Sequence, residues 1–318
     1  MKRFKIGQKP MLSSAEALRR RFLRFKIVSL SAIGLLVIGI IALLYANYDY
    51  IMFRLLIASN YSHSYVIDDM FEERLGFVPD RHSRYFDALV IDIVTEEIRR
   101  VGGDVYTFLY TPTERDDLDE RIRRRAEGAR MEEVAPGVVQ LVLPNISPYI
   151  EDFVFNNRDD LNSFDNLILD LRGNNGGELA VSQAIAGLFL ERRAIVGTEQ
   201  ARMDFWPFTR ARRSRGAQFF EFDNIVILQN DRTASAAENL IMALSENLDN
   251  VTTVGGTTYG KGIGQVTLPL RGGFAVRATV ILMEGPSGFM VHDVGIAPDI
   301  EFIGDDILGV ALEIIRQP

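Results

Sequence analysis

The hydrophobic pattern divides the chain into three stretches of different period. From Ile27 to Tyr48 no position is charged, and residues 33–44 hold only Ile, Leu, Val, Ala and Gly. About 20 apolar residues cross a bilayer as a helix, so residues 27–48 predict a transmembrane helix. From Asp49 to about Ala135 the pattern is amphipathic and rich in charge. Phe86, Leu89, Val90, Ile93, Val94 and Val101 fall at helical spacing with Asp92, Thr95 and Arg99 opposite, and Gly102-Gly103 closes the pattern. Asp104 to Tyr110 reads as a strand. Thr111-Pro112-Thr113-Glu114 offers a cap, an early proline and a first-turn acid, the start of another helix. Arg115 to Arg130 is dominated by charge and predicts a solvated helix or a linker.

From Pro136 onward apolar strands alternate with helical patterns, which predicts an α/β layer structure. The strands are Val138–Leu143, Asn166–Leu171, Asn224–Leu228, Val251–Val254 and Ile263–Leu270, with helices at about Glu178–Glu191 and Ser235–Asn247. The segment Thr198–Ala217, with Phe205, Trp206, Phe208 and the arginines Arg202, Arg210, Arg212, Arg213 and Arg215, breaks this rhythm and is expected as a surface loop. The expected plan is a basic segment (1–26), a transmembrane helix (27–48), a helical N-terminal region and linker (49–135) and a catalytic domain (136–318).

Charge gives the plan a direction. Residues 1–26 hold nine of the 35 Lys and Arg against one acid, Glu16, and the remainder holds 26 bases against 42 acids, a balance of about −16. The positive-inside bias keeps the N-terminus in the cytoplasm and exports the rest, a single-pass protein of the cell membrane. A cleaved signal peptide has an apolar stretch of about 7–15 residues; the longer run here favours an uncleaved anchor. The acidic balance argues against nucleic acid as partner. Cysteine is absent, so disulfides, thiol chemistry and cysteine zinc clusters are excluded, and neither metal nor cofactor is expected.

Three strand ends carry candidate chemistry. One runs into Arg172-Gly173-Asn174-Asn175-Gly176-Gly177, whose backbone N–H groups are free to face an anion. Taken alone, it is equally a tight turn needing positive φ. Another delivers Ser235 where a strand gives way to a helix, with the Ala236 N–H at the helix N-terminus; a cap serine has the same placing. The third carries Lys261 within Gly255-Gly256-Thr257-Thr258-Tyr259-Gly260-Lys261, which satisfies G-x-x-x-x-G-K. Gly262 follows where a phosphate loop needs Ser or Thr, and a strand follows where it needs a helix, so a nucleotide loop is disfavoured.

Taken in order, Leu169-Asp170-Leu171-Arg172-Gly173-Asn174-Asn175-Gly176-Gly177, Asn230 to Glu238, Gly255 to Gln265, Pro286-Ser287-Gly288 and Gly295 to Ile300 resemble the signature blocks of the carboxyl-terminal processing, or tail-specific, serine peptidases. The resemblance implies a ClpP/crotonase-like mixed sheet with flanking helices and hydrolysis of protein or peptide substrates. It assigns Ser235 as nucleophile, Lys261 as general base, Gln265 as the group that orients the lysine, and the Gly177 and Ala236 N–H groups as oxyanion hole. Such a lysine needs a depressed pKa, and donors already in place stabilise the oxyanion without reorganising.

Members of that family usually carry a PDZ domain that grips the substrate C-terminus, whereas here only about Leu118 to Gly137 lies in its place. C-terminal recognition is therefore in question, an adaptor supplying it in trans is one expectation, and the oligomeric state is left open. A noncatalytic binding module on the same fold is the competing class. His292-Asp293 offers a rival triad with Ser235, but neighbours on a strand point to opposite faces; His63 and His82 are expected at the surface.

Overall fold

The uncharged run becomes the outer part of one long helix, α1 (Ser14–Ala46), in the computed structural model, which describes residues 14–58, 60–62, 88–203, 206–216, 218–270 and 273–317. This helix is long and apolar enough to cross a membrane, and none of its apolar window is buried in the protein. The chain continues through α2 (Tyr48–Phe53), a single π turn (Arg54–Ala58), α3 (Ala88–Gly102), β1 (Phe108–Tyr110) and α4 (Pro112–Ala126). It then forms β2 (Arg130–Ala135), β3 (Val138–Val142), α5 (Pro148–Asn156), α6 (Arg158–Leu161), β4 (Asn166–Asp170), α7 (Leu179–Phe189), β5 (Ile195–Met203) and β6 (Trp206–Arg213). The last part holds β7 (Asn224–Gln229), α8 (Ala236–Ser245), β8 (Val251–Gly255), β9 (Ile263–Pro269), β10 (Ala275–Glu284), β11 (Ile300–Glu301) and α9 (Ile307–Arg316).

Two sheets result. The first has the order β11-β8-β7-β4-β3-β2 and is parallel except where β2 pairs antiparallel with β3. Its central strands are buried on both faces: Leu167 and Leu169 pack with α5, α7 and α8, whereas Ile168, Val226 and Leu228 pack with Ile307 and Ala311 of α9. That coverage explains their near-continuous apolar sequence. The second sheet is antiparallel, with order β1-β10-β5-β6 and β9 also on β10. The mixed sheets flanked by helices agree with the expected fold class.

Two regions differ from the sequence reading. The upstream helical region packs on the second sheet: Phe53, Leu56, Ile57, Val94 and Ile98 share one apolar cluster with Val276, Ala278 and Val280 of β10. The α4 start is as expected, with Thr111 and Glu114 forming a reciprocal capping box. Its helix is not merely solvated, however; Asn145 Nδ2 bonds the Ile122 carbonyl at 3.0 Å, and Arg125 donates to the Gly173 carbonyl at 2.6 Å. The expected surface loop at 198–217 is instead the hairpin β5–β6, with Phe208 opposite Ala201 and Arg210 opposite Glu199. Arginines on an edge strand disguise its period. His63, His82 and Phe86 lie outside the described residues.

The hairpin is pinned to the helix that follows the glycine turn. Ser214 N–H donates to the Ala194 carbonyl at 2.8 Å, and a Cβ on Gly216 would lie 1.6 Å from the Gly187 carbonyl oxygen of α7. Gly216→Ala is expected to lower the unfolding free energy by about 1–3 kcal/mol through overpacking, read from urea unfolding of the detergent-solubilised chain by circular dichroism. Gly256→Ala, with no atom within 4 Å of the added carbon, is expected to leave the midpoint unchanged.

Candidate active site

The ends of β3, β4 and β7 are adjacent because these strands are parallel neighbours, and the turns leaving them are bonded together. Asn174 is fully buried; its side-chain amide donates to the Leu143 carbonyl at 2.8 Å, its Oδ1 accepts from Gly176 N–H at 2.9 Å, and its own carbonyl accepts from Ala234 N–H at 2.9 Å. Thr233 Oγ1 donates to the Leu171 carbonyl at 2.8 Å, and Asn230 Oδ1 accepts from Gly173 N–H at 2.9 Å. Side chains at Gly176 or Gly177 are impossible here. A Cβ on Gly176 would lie 2.7 Å from Ser235 Cβ, and one on Gly177 would lie 1.8 Å from the Ile146 carbonyl oxygen.

Ser235 stands between β7 and α8 at φ 58°, ψ −120°, a conformation costly for any residue with a side chain. Strain of this kind persists only when the surroundings over-determine it, and a buried carboxylate does so. Glu238, in the first turn of α8 and fully buried, accepts from Ser235 N–H at 2.7 Å and Lys261 N–H at 2.8 Å through Oε2. Its Oε1 accepts from Gly260 N–H at 2.7 Å and Thr258 Oγ1 at 2.5 Å. These bonds also dispose of the phosphate-loop alternative. The Gly260 and Lys261 N–H groups are spent on a carboxylate, Thr258 and Tyr259 N–H donate to the Ile296 and Thr233 carbonyls, and β9 follows rather than a helix.

Ser235, Lys261, Gln265 and Gly177 line one cavity of about 750 Å³, whose opposite wall includes Leu118, Arg121, Ile122 and Arg125 of α4. Ala236 opens α8 beside it. Among the described residues, neither Gly177 N–H nor Ala236 N–H donates to a protein acceptor. The lysine amine is not hydrogen-bonded to the serine hydroxyl; Lys261 Nζ sits 4.1 Å from the centre of the Tyr106 ring. Burial and the neighbouring Arg277 guanidinium push its pKa down to about 8 against the opposing pull of Asp104 and Glu238. Gln265 bonds elsewhere too: its Oε1 accepts from Arg277 Nη2 at 3.1 Å.

The sequence reading did not single out Glu238, Arg277, Tyr106 or Asp104. Arg277 had a signal, being the one cation within the apolar run Ala275 to Leu282. Asp104 is buried and accepts from Tyr106 N–H at 2.8 Å and Thr107 Oγ1 at 2.7 Å, and the Tyr106 hydroxyl bonds that of Tyr259 at 3.2 Å. Burial first, then Tyr259, holds the Tyr106 phenol above its ordinary range. His292 and Asp293 occupy a turn rather than a strand, with Nε2 3.7 Å from Oδ2. They face each other, contrary to the strand argument, but neither lines the cavity that holds Ser235. No cluster of His, Cys, Asp and Glu suited to a metal occurs among the described residues.

Comparison with known proteins gives this geometry its setting. The carboxyl-terminal-processing protease of Synechocystis sp. is 37% identical over 135 residues, which are 42% of this chain and 30% of that protein. The carboxy-terminal processing protease CtpA of Bacillus subtilis is 33% identical over 134 residues, 42% of this chain and 28% of its own length. The chain thus spans about a third or less of the length of these relatives. A lipoprotein from Streptococcus agalactiae shares the fold, with a TM-score of 0.61 at 18% identity over 88% of this chain and 96% of that one. The profile of peptidase family S41 matches residues 141–302, from β3 to just past β11, and with just over half of its length matched the chain belongs to that family.

Proposed function

We propose that the chain is a serine endopeptidase that hydrolyses protein or peptide substrates with a Ser235–Lys261 dyad. The observation that carries this reading is the single Glu238 carboxylate that holds both backbones at one cavity wall, beside two unspent N–H groups. In the cycle, neutral Lys261 Nζ takes the Ser235 hydroxyl proton as Oγ attacks the scissile carbonyl carbon. The carbonyl oxygen becomes an oxyanion that accepts from the Gly177 and Ala236 N–H groups. Collapse breaks the C–N bond, and the ammonium returns its proton to the leaving amine. Water then attacks the acyl ester, giving a proton to Nζ, and the second collapse frees the acid and restores the hydroxyl.

The amine must leave Tyr106 to act. A ring face attracts the ammonium and has little hold on the neutral amine, so deprotonation itself releases the side chain toward Ser235. Gln265 orients the turned amine in this scheme, exchanging Arg277 for Lys261 as partner of its Oε1. The same reading takes α1 as a membrane anchor, with residues 1–26 cytoplasmic and the catalytic part outside the cytoplasm. An adaptor that grips substrates in trans completes it; strong casein cleavage by the purified chain alone would count against that adaptor.

In detergent micelles and without an adaptor, the full chain is expected to cleave casein slowly, with Ser235→Ala and Lys261→Ala each lowering that basal rate by at least about 10³-fold. Equal turnover by all three would exclude the dyad, and no turnover by any of them would favour the noncatalytic class. Glu238→Gln replaces an acceptor oxygen by an amide that faces N–H donors. It is expected to cost about 1–3 kcal/mol in urea unfolding and about 10²-fold in kcat, through displacement of Ser235 and Lys261.

The pH profile follows from the lysine. Activity needs the neutral amine, so kcat/KM should rise with pH up to about 8 and level off above it. Arg277 disfavours the lysine's positive charge; Arg277→Gln therefore restores the ammonium's stability and moves the midpoint upward, depressing activity at pH 7 more than at pH 10. A midpoint unchanged or moved downward in the variant would contradict this electrostatic role.

A further inference from the structure

A second cavity lies apart from the lining of Ser235. It measures about 1170 Å³ and lies between α7 and the hairpin β5–β6, where Arg192, Arg193, Arg210, Arg212, Arg213 and Arg215 line it. These are six of the 26 bases that follow Lys26, in a part of the chain with an excess of acids. Such a concentration opposes its own formation by like-charge repulsion unless something anionic answers it. Partners within the protein do so only in part. Arg212 pairs with the buried Glu199 at 2.6 Å and Arg213 donates to the Arg193 carbonyl at 3.0 Å. Among the described residues, Arg192, Arg210 and Arg215 make no ion pair, and Arg212 Nε is buried without a hydrogen-bond partner.

Glu151 and Glu178 line the same cavity. Burial, then Asp152 and Glu178, push the Glu151 carboxyl above its usual range, and no arginine holds it down. The cavity therefore carries both charges, with bases in excess. Glu178 and Ala180 also line the catalytic cavity, so the two cavities share a wall. Along α7, the step from Ala180 to Gly187 is roughly 10 Å at about 1.5 Å per residue, which about three residues of extended peptide cover. The strand β6 pairs only with β5 among the described residues, leaving an edge on which an extended segment can add.

We propose that this cavity is a second substrate-binding site, continuous with the catalytic groove, which selects polypeptides carrying a run of acidic residues from about the fourth position from the cleaved bond. It rests on the peptidase reading above. The guanidinium forks of Arg192, Arg210 and Arg215 suit carboxylates bidentately. The shared wall with the catalytic groove favours a substrate segment over a separate phosphate polymer.

The test uses the full chain in detergent and labelled peptides around a cleaved casein site, extended by four Glu or four Gln beginning four residues before or after the scissile bond. On one of the two sides, the Glu extension is expected to lower KM about tenfold with kcat little changed, as three exposed ion pairs allow. The Ser235→Ala chain should bind that peptide about tenfold more tightly than its Gln counterpart. Both preferences should vanish in the triple variant Arg192→Gln, Arg210→Gln, Arg215→Gln, which spares Arg212 and the Gly216–Gly187 contact, and shrink at about 0.5 M salt.

Equal binding of Glu and Gln peptides by the Ser235→Ala chain, or a preference that survives the triple variant, would overturn the proposal. So would displacement of bound polyphosphate by neither peptide, which would assign the site to phosphate polymers. A binding preference without any cleavage would support this site while removing the peptidase reading, so the two stand or fall separately.

Discussion

The geometry of the site hangs on the burial of one carboxylate. Glu238 is placed in the first turn of α8, where the helix dipole favours negative charge, and its two oxygens meet four donors from the Ser235 turn and the Lys261 loop. Removing a carboxylate from water costs several kcal/mol; four bonds to a charged acceptor, at about 1.5–3 kcal/mol each, offset that cost. The three bonds from Thr258, Gly260 and Lys261 are lost if the loops drift apart. Positive φ at Ser235 follows from the same constraint, because its N–H must turn back toward Glu238 while its side chain faces the cavity.

The parallel sheet supplies the second half of the arrangement. Neighbouring parallel strands end on the same side, so β4 and β7 deliver the glycine turn and the serine turn to one edge, as in other open α/β sheets. Asn174 and Thr233 then bond each turn to the end of a neighbouring strand or to the other turn. The glycines are required by contact, not by flexibility: Gly176 lies against the Ser235 Cβ and Gly177 against the Ile146 carbonyl.

How much of this was legible depended on whether a residue's role is local. The buried parallel strands around Leu167 and Ile227 announce themselves by composition, and the Thr111 box by its spacing. Ser235 and Lys261 stand in compact motifs. Glu238 was visible only as a helix-start acid, because its partners Gly260 and Lys261 are more than 20 positions away. Arg277 and Tyr106 act across β10 and β1, whose pairing no local pattern records. The α4 face along Leu118 and Ile122 is too narrow to register among the charges of residues 115–130. The hairpin β5–β6 failed as a strand reading for a related reason, since an edge strand facing a cavity need not alternate apolar with polar.

The lysine's charge state ties these parts together. Burial and Arg277 favour the neutral amine; Tyr106, Asp104 and Glu238 favour the ammonium, and the balance falls near pH 8. A balance between opposed large effects is sensitive to small displacements of any one of them. Arg277 lies on β10, the strand whose Val276, Ala278 and Val280 pack against Phe53, Leu56 and Ile57 just beyond α1. The segment that emerges from the apolar helix thus shares a rigid cluster with the cation that sets the lysine's basicity. Movement of β10 by even a fraction of an ångström changes the distance between two like charges in a partly desolvated cavity, where their repulsion is poorly screened, and alters the fraction of chains holding an uncharged amine.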